Sequence, residues 1–191
     1  MPDETAVYPA PWPPAPIRTE RLVLREPEAG DRARYVELLV SPEVGTYLGG
    51  PKARDQVERD VPGAPERRPG LFVVERAGAL IGTVMLYRRA GQVERAPGKI
   101  ELGYLFLPQA WGHGYAAEGC AAALDWLDGA LPDEPVVLAT QTANARSMRL
   151  AAKLGFVEVE RFQAWGAQQW FGERPSASGR GRPARRTVAA R

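Results

Sequence analysis

Runs of apolar residues divide the chain into short segments with two different spacings. Segments rich in β-branched and aromatic residues predict strands over 21–25, 71–75, 80–87, 99–107, 136–141, 156–162 and 168–171. Apolar residues at helical spacing predict helices after Asp31, near 54–61, over 116–127 and over 145–154. Because hairpin-forming strands come first and a β-α-β-α-β order follows, the pattern predicts an α+β domain with a mixed sheet.

The two ends of the chain differ in composition from its middle. Six of the first 16 residues are proline, which excludes a helix or a central strand there, so an extended arm is expected over 1–16. After Gly172 the chain is mainly Ser, Gly, Pro and Arg and has too few large apolar residues to order itself. These features predict one folded domain over 17–172 and a disordered Arg-rich tail over 173–191.

Composition then narrows the class of protein. The chain has 191 residues, of which 45% are hydrophobic and 25% charged, as expected for one globular domain. No apolar run reaches the roughly 18 residues of a membrane helix, and no signal segment is evident, so we expect a cytoplasmic protein with no membrane partner. The single cysteine excludes an intramolecular disulfide and a multi-cysteine zinc site, and no metal is expected.

The net charge of +2 is an average over two unlike regions. The segment 173–191 holds six arginines and one glutamate and carries +5, so the first 172 residues carry −3. Only three of the 25 basic residues are lysines, a skew typical of GC-rich coding that suggests a bacterial source. The arginines of the tail would suit a tether for nucleic acid or another acidic partner. Because no aromatic residues lie between them for base stacking, we expect an inert tail and no nucleic-acid partner, with the tether as the alternative.

One strand-to-helix connection carries the candidate chemistry. Gly112 and Gly114 lie between the predicted strand 99–107 and an Ala-rich helix, in what we call the glycine turn (residues 111–114). Glycines let the backbone approach a ligand closely, and the free N–H groups and dipole of a helix N-terminus suit a pyrophosphate. A tight turn with no ligand would contain the same glycines. The third glycine of the dinucleotide fingerprint and the Gly-Lys-Ser/Thr of NTPase loops are both absent.

Three segments, in order, resemble the GNAT superfamily of N-acetyltransferases. Gln109-x-x-Gly112-x-Gly114 resembles its acetyl-CoA-binding motif, and residues 144–156 resemble its closing helix and turn. Residues 19–25 are similar to the opening of the ribosomal-protein N-terminal (alanine/serine) acetyltransferase branch. The resemblance covers about 17–172 and implies a mixed, mostly antiparallel sheet of about six to seven strands flanked by about four helices.

The resemblance implies a site for acetyl-CoA. The pyrophosphate would be received by the backbone amides of Gly112, His113, Gly114, Tyr115 and Ala116. The pantetheine arm would pair like an added strand with the backbone of Leu105, Phe106 and Leu107. Gln109, which opens the binding motif, would also bind the cofactor. Asn144 would hydrogen-bond the arm, and Ser147 would lie close to the thioester.

The resemblance also implies direct attack of an amine on the thioester, which requires a base, an oxyanion donor and an acid. Glu101, at the start of the strand that leads to the glycine turn, is the candidate base; Glu158 and Glu160 are alternatives, and a merely solvated Glu101 stays open. A backbone N–H near Leu105 or Phe106 would bind the oxyanion. In relatives, a tyrosine at the position of Ala151 acts as the general acid. Because this chain has alanine there, Ser147 either acts as the general acid or only binds the cofactor.

Several other conspicuous residues are assigned to packing or to solvent. We expect the His113 side chain to point outward, Cys120 to pack in the core, and Glu118 to be solvated. The segment 165–170, with two tryptophans and two glutamines, either lines an acceptor groove or closes the core. The acceptor is left open between a protein N-terminus and a small amine, as are a homodimer and an alternative function as a catalytically weak acyl-CoA-binding regulatory module.

Overall fold

A single sheet of eight strands organises the part of the chain that the computed structural model describes, residues 14–61, 63, 65–88 and 98–180. The strands are β1 (Ile17–Arg18), β2 (Val23–Arg25), β3 (Leu71–Arg76), β4 (Ala79–Arg88), β5 (Ile100–Phe106), β6 (Val136–Gln141), β7 (Val157–Ala164) and β8 (Ala167–Arg174). The helices are α1 (Arg32–Val40), α2 (Pro42–Gly45), α3 (Arg54–Asp60), α4 (Tyr115–Ala130), α5 (Ala145–Lys153) and α6 (Ala177–Arg180).

The strand order is β1-β2-β3-β4-β5-β6-β8-β7. Every neighbouring pair is antiparallel except β5 and β6, which are parallel and are joined through α4. The predicted mixed, mostly antiparallel α+β architecture is therefore confirmed. The described chain adds the two-residue β1 and the four-residue helices α2 and α6, which are too short to produce a periodic pattern.

The side chains of the central strands are buried in two cores, one on each face of the sheet, because successive side chains of a strand point to opposite faces. On one face, Phe72 and Val74 of β3 belong to a large cluster that includes Leu124 and Leu127 of α4. On the other face, Val73 packs in a smaller cluster with Leu38 of α1. The sheet is thus covered on both faces, with α4 and α5 on one side and α1 on the other.

The folded domain continues past the predicted boundary at residue 172. β8 runs to Arg174, and α6 follows. The buried Arg174 guanidinium donates to both carboxylate oxygens of Asp128 on α4, at 2.9 and 2.7 Å, and Arg180 contacts the same carboxylate. Composition placed the end of the domain too early because a polar residue is ordered here by a partner far away in sequence. Residues 1–13 of the predicted arm and 181–191 of the tail lie outside the described residues.

We expect Asp128→Asn to lower the free energy of unfolding at pH 7 by about 2–3 kcal/mol, because it leaves the buried Arg174 without its counter-charge. Burial raises the pKa of Asp128, but hydrogen bonds from Arg174 and Arg180 outweigh burial and hold that pKa below its ordinary value. The stabilisation is therefore present above the unfolded-state pKa of about 3.9 and is lost as the pH falls through the lower, folded-state pKa.

Urea unfolding of the wild type and the variant between pH 3 and pH 7 measures this difference. The matched control is Asp125→Asn, a change of the same kind at an exposed position of α4, which should leave the unfolding midpoint nearly unchanged. Equal unfolding midpoints for Asp128→Asn and the wild type at pH 7 would show that the Asp128–Arg174 ion pair does not stabilise the folded domain.

Candidate active site

A cleft opens in the middle of the sheet where β5 and β6 separate. The two strands pair only at Ile100–Val136 and Glu101–Val137, although β5 continues to Phe106 and β6 to Gln141. Each strand stays bound to its neighbour on the other side over its whole length. The glycine turn follows the open end of β5, and α5 begins just after the open end of β6, so both motif segments meet at the mouth of the β5–β6 cleft.

Strand alternation decides which backbone groups of β5 face this cleft. The Leu107 N–H donates to the Ile81 carbonyl at 2.9 Å, so residues of the same parity turn their backbone groups toward β4. Tyr104 and Phe106 therefore turn theirs toward the cleft. Of the three residues predicted to pair with the pantetheine arm, Phe106 has this orientation, while Leu105 and Leu107 have the opposite one. The Phe106 carbonyl accepts a hydrogen bond from the Trp111 indole at 2.8 Å, and the Phe106 N–H faces the cleft.

The glycine turn has the backbone conformation that only glycine adopts easily. Gly112 and Gly114 have φ values of +81° and +79°, in the left-handed region where a side chain is disfavoured. A Cβ atom at Gly112 would meet nothing within 4 Å, so the open space lies on the outer side of the turn. The first helical bond of α4 runs from Glu118 N–H to the Gly114 carbonyl. The N–H groups of Tyr115 and Ala116 precede it and have no partner within the helix.

The start of α4 is fastened to the turn between β1 and β2. The Glu118 carboxylate accepts hydrogen bonds from Thr19 Oγ1 at 2.5 Å, from Arg21 N–H at 3.0 Å and from Arg21 Nε at 2.7 Å. Burial raises the pKa of Glu118, but these hydrogen bonds outweigh burial and lower the pKa below its usual range. The expectation that Glu118 is solvated was wrong, because its partners lie 97 and 99 residues away in sequence.

The same arginine also holds the glycine turn. Arg21 Nη1 donates to the His113 carbonyl at 3.0 Å. The Arg21 and Arg76 guanidinium carbons lie 4.8 and 5.1 Å from the centre of the Tyr115 ring, on which the His113 ring stacks at 5.4 Å. His113 is exposed, in agreement with a side chain that points outward. The backbone of the turn is thus positioned by a residue from the opening segment of the domain.

At the other side of the cleft, Asn144 caps α5. Its Oδ1 accepts a hydrogen bond from the Ser147 N–H at 3.1 Å, which leaves the Asn144 amide N–H₂ for the predicted contact with a bound ligand. The buried Ser147 hydroxyl lies 2.6 Å from the Tyr104 hydroxyl. Tyr104 is therefore part of the site, although the sequence interpretation did not name it. Its parity with Ile100, Leu102 and Phe106 on β5 was the signal that could have found it.

Glu101 is buried on β5 at the base of the cleft, 6% exposed. By strand alternation it faces the α1 side of the sheet, whereas Tyr104 packs against the cluster on the α4 and α5 side. The candidate base and the candidate acid Ser147 therefore approach the cleft from opposite faces. Such an arrangement lets an amine enter from one side while a thioester is held from the other.

The alternative base Glu158 is committed elsewhere. Its carboxylate accepts hydrogen bonds from Arg161 Nε at 2.8 Å and from the Trp170 indole at 2.9 Å. The hydrogen bond from Arg161 is the main reason that the pKa of Glu158 lies below its usual range. A carboxylate stabilised in this way is a weaker proton acceptor, which counts against Glu158 as the base.

The segment 165–170 divides between surface and core. Trp165 lies at the tip of the β7–β8 hairpin, is 70% exposed and has φ of +51°. Trp170 is buried in the main core, and the buried Gln169 amide donates to the Ala164 and Ala167 carbonyls. Trp170 therefore closes the core, and Trp165 is exposed at the surface. Cys120 is fully buried, which raises the pKa of its thiol, as expected for a packing residue.

Gln109 has an unexpected direction. It lies in the short 3-10 turn Pro108–Ala110, and its Nε2 points to Glu37 Oε1 of α1 at 3.4 Å. In this arrangement the Gln109 side chain contacts α1 at the start of the glycine turn.

The family model of the acetyltransferase (GNAT) domain matches residues 21–157. The chain belongs to the GNAT acetyltransferase family. The uncharacterized protein YkkB of Bacillus subtilis (strain 168) is 29% identical to this GNAT domain over 154 residues, which is 77% of this chain and 88% of YkkB. The range 21–157 matched by the family model includes the glycine turn and α5, the two motif segments that flank the cleft.

Solved structures share the fold at lower identity. A GNAT-family acetyltransferase from Bacillus anthracis superposes with a TM-score of 0.71 at 20% identity, covering 84% of this chain and 98% of that protein. The ribosomal-protein-S5-alanine acetyltransferase from Vibrio fischeri gives a TM-score of 0.64 at 14% identity, covering 87% and 99%. Aminoglycoside acetyltransferase AAC(6')-Ib, solved in complex with coenzyme A, gives 0.62 at 17%, covering 81% and 94%.

Within residues 14–180, leaving aside the gaps at 62, 64 and 89–97, no helix is long and apolar enough to cross a membrane. The same residues contain no group of three or more His, Cys, Asp or Glu side chains arranged to hold a metal ion.

Proposed function

We propose that this GNAT domain is an acetyl-CoA-dependent N-acetyltransferase that acts on a primary amine by direct attack in a ternary complex. The observation that carries the proposal is the β5–β6 cleft, which has the glycine turn at its mouth, a buried carboxylate on one face and a hydroxyl pair on the other. Acetyl-CoA supplies the acetyl group as a thioester. The family supports acetyl transfer to amines in general.

The residues at the mouth of the cleft fit the cosubstrate. The amides of residues 112–116 and the positive end of the α4 dipole suit the pyrophosphate. Two glycines with positive φ keep that surface free of side chains. The Asn144 amide and the cleft-facing backbone of β5 would bind the pantetheine arm, in the manner of a ligand added to a strand edge.

The catalytic assignments follow from the two faces of the sheet. Glu101 accepts the proton of the attacking amine, directly or through one water molecule. The Phe106 N–H donates to the carbonyl oxygen as negative charge develops on it, a role that alternation gives to Phe106 rather than Leu105. Ser147 donates a hydrogen bond to the sulfur of the leaving group as negative charge develops on it.

The acceptor is proposed at the level of a cationic amine. The first 172 residues carry −3, a balance that favours the approach of a positively charged substrate. The exposed Trp165 and Leu48 offer apolar contact area near the end of β6, where Gln141 Nε2 donates to the Tyr47 carbonyl at 3.2 Å. A peptide or protein N-terminus combines a cationic amine with apolar side chains and is the acceptor that we propose first.

A thiol-release assay tests the proposal. The protein is incubated with acetyl-CoA and a panel of amines that includes peptides with N-terminal alanine or serine, polyamines and aminoglycosides, and isothermal titration measures acetyl-CoA binding in parallel. We expect binding together with acceptor-dependent release. Binding without release across the panel would contradict catalysis and favour an acyl-CoA-binding regulatory module. Absence of binding would contradict the cofactor site itself.

A further inference from the structure

The Tyr104–Ser147 hydroxyl pair joins the two sides of the β5–β6 cleft. Tyr104 belongs to β5 and Ser147 to α5, and their oxygens are 2.6 Å apart. Ser147 is held in place by its own N–H, which donates to the Asn144 cap. A helical serine often turns its hydroxyl back to the carbonyl one turn earlier. Here the contact with Tyr104 shows that the Ser147 oxygen is turned toward β5 instead.

The direction of this hydrogen bond follows from the chemistry of the two hydroxyls. A phenol, with an ordinary pKa of about 10, is a stronger hydrogen-bond donor than an aliphatic alcohol, so Tyr104 donates and Ser147 accepts. Once the Ser147 oxygen accepts this bond, its own hydrogen points away from Tyr104. Burial, the largest influence, raises the pKa of Tyr104 to about 12, and the phenol therefore remains protonated and able to donate throughout the neutral range.

We propose that Tyr104 is a positioning residue for release of the thiol: its hydroxyl donates to Ser147 Oγ and thereby directs the Ser147 hydrogen toward the sulfur of the cosubstrate. This inference rests on the proposed function.

Transfer of the acetyl group from sulfur to the amine makes one bond and breaks one. The amine nitrogen forms a bond to the acetyl carbon and gives its proton to Glu101. The carbon–sulfur bond breaks, and its electron pair moves to sulfur. Ser147 donates a hydrogen bond to this developing thiolate, and Tyr104 strengthens that bond by polarising the Ser147 hydroxyl. Glu101 then releases the proton of the amine to water, and water supplies the proton that completes the free thiol, so that no net proton is gained or lost.

Titration of bound coenzyme A tests this inference without any acceptor. The ultraviolet absorbance of the thiolate is followed against pH for the protein with coenzyme A, and the titration with desulfo-coenzyme A is subtracted to remove signals from the protein. A hydrogen bond to the charged form lowers a pKa. We expect the thiol pKa of bound coenzyme A to lie about 1 unit below that of free coenzyme A in the wild type.

Tyr104→Phe and Ser147→Ala should each move that pKa back toward the free value, and the double variant should move it no further than Ser147→Ala alone. Tyr35→Phe, which removes the hydroxyl of a tyrosine packed in the smaller cluster on the α1 face, is the matched control and should leave the titration unchanged. Because phenylalanine retains the packed ring of Tyr104, a loss of folding does not account for the expected result.

Kinetics with an acceptor identified in the panel provide a second readout. Tyr104→Phe should lower kcat about 10-fold with an unchanged KM for acetyl-CoA. The hydrogen bond from Ser147 to sulfur becomes charge-assisted only as the thiolate forms, so weakening it affects the transition state and not the binding of acetyl-CoA. Equal thiol pKa values in the wild type and Tyr104→Phe, both with bound coenzyme A, would overturn this inference and leave the proposed function intact. If the wild type does not bind coenzyme A, the proposed function fails and the inference fails with it.

Discussion

Glu101→Gln is expected to lower kcat by about 100-fold or more while leaving acetyl-CoA affinity unchanged. Removal of a general base typically costs 10²–10⁴-fold, and the amide of glutamine is nearly the same size as the carboxylate but cannot accept a proton. Glu101 is buried at the base of the cleft, on the face opposite the hydroxyl pair, so the change removes a proton acceptor from the acceptor side without altering the cosubstrate side.

The pH profile separates a base from a structural residue. An α-amino group has a pKa of about 8, so at lower pH more of the acceptor arrives protonated and depends on the base. The defect of Glu101→Gln should therefore be largest at low pH and should shrink as the pH rises above that value. Glu158→Gln is the matched control, because Glu158 is committed to Arg161 and Trp170, and its kcat should stay within about 2-fold of the wild type. A loss independent of pH would point to a structural role for Glu101.

The elements of the central sheet were predictable because their side chains alternate between two cores. β3, β4 and β5 were each placed within two residues of their observed ends, since runs of Leu, Ile, Val and Phe bounded by Gly and Pro are typical of buried strands. α4 begins one residue before its predicted start, because Gly114 with positive φ ends the turn there. Local chemistry is sufficient where the pattern repeats over several turns or several strand residues.

The contacts that were missed connect residues far apart in sequence. Nothing local distinguishes Glu118 from an exposed helical glutamate, and its partners come from the β1–β2 turn. Arg174 was likewise assigned to the tail because its neighbours are polar, although Asp128 pairs with it across 46 residues. Periodicity predicts which face of an element a side chain occupies. It does not predict which charged group of another element lies against that face.

The candidate site shows the same division. The glycine turn, Asn144 and Ser147 were found through motifs with fixed local spacing, and the structure brings these segments together at the mouth of the cleft. Tyr104 was overlooked because its parity on β5 indicates only the face of the sheet on which it lies, whereas its contact with Ser147 joins residues 43 positions apart. The choice of Phe106 over Leu105 depends on the register between β4 and β5, which is also a property of the assembled sheet.

Gly112→Val is expected to reduce acetyl-CoA affinity by at least about 100-fold, to a level that isothermal titration does not detect at micromolar protein. At φ of +81° a β-branched residue is strongly disfavoured, so the turn must move and its amides lose their alignment. The new side chain would also project into the open space where a Cβ meets nothing within 4 Å, which is the space that the proposed pyrophosphate occupies.

A second glycine separates backbone strain from loss of the binding site. Gly166 in the β7–β8 hairpin has φ of +74°, and a Cβ there also meets nothing within 4 Å, so Gly166→Val introduces similar strain away from the glycine turn. Both variants should lose similar amounts of thermal stability, but only Gly112→Val should lose acetyl-CoA binding. If the two variants bind acetyl-CoA equally well, the pyrophosphate does not lie on the glycine turn. Because strain is matched between the variants, a difference in affinity must come from the turn as a ligand-binding surface.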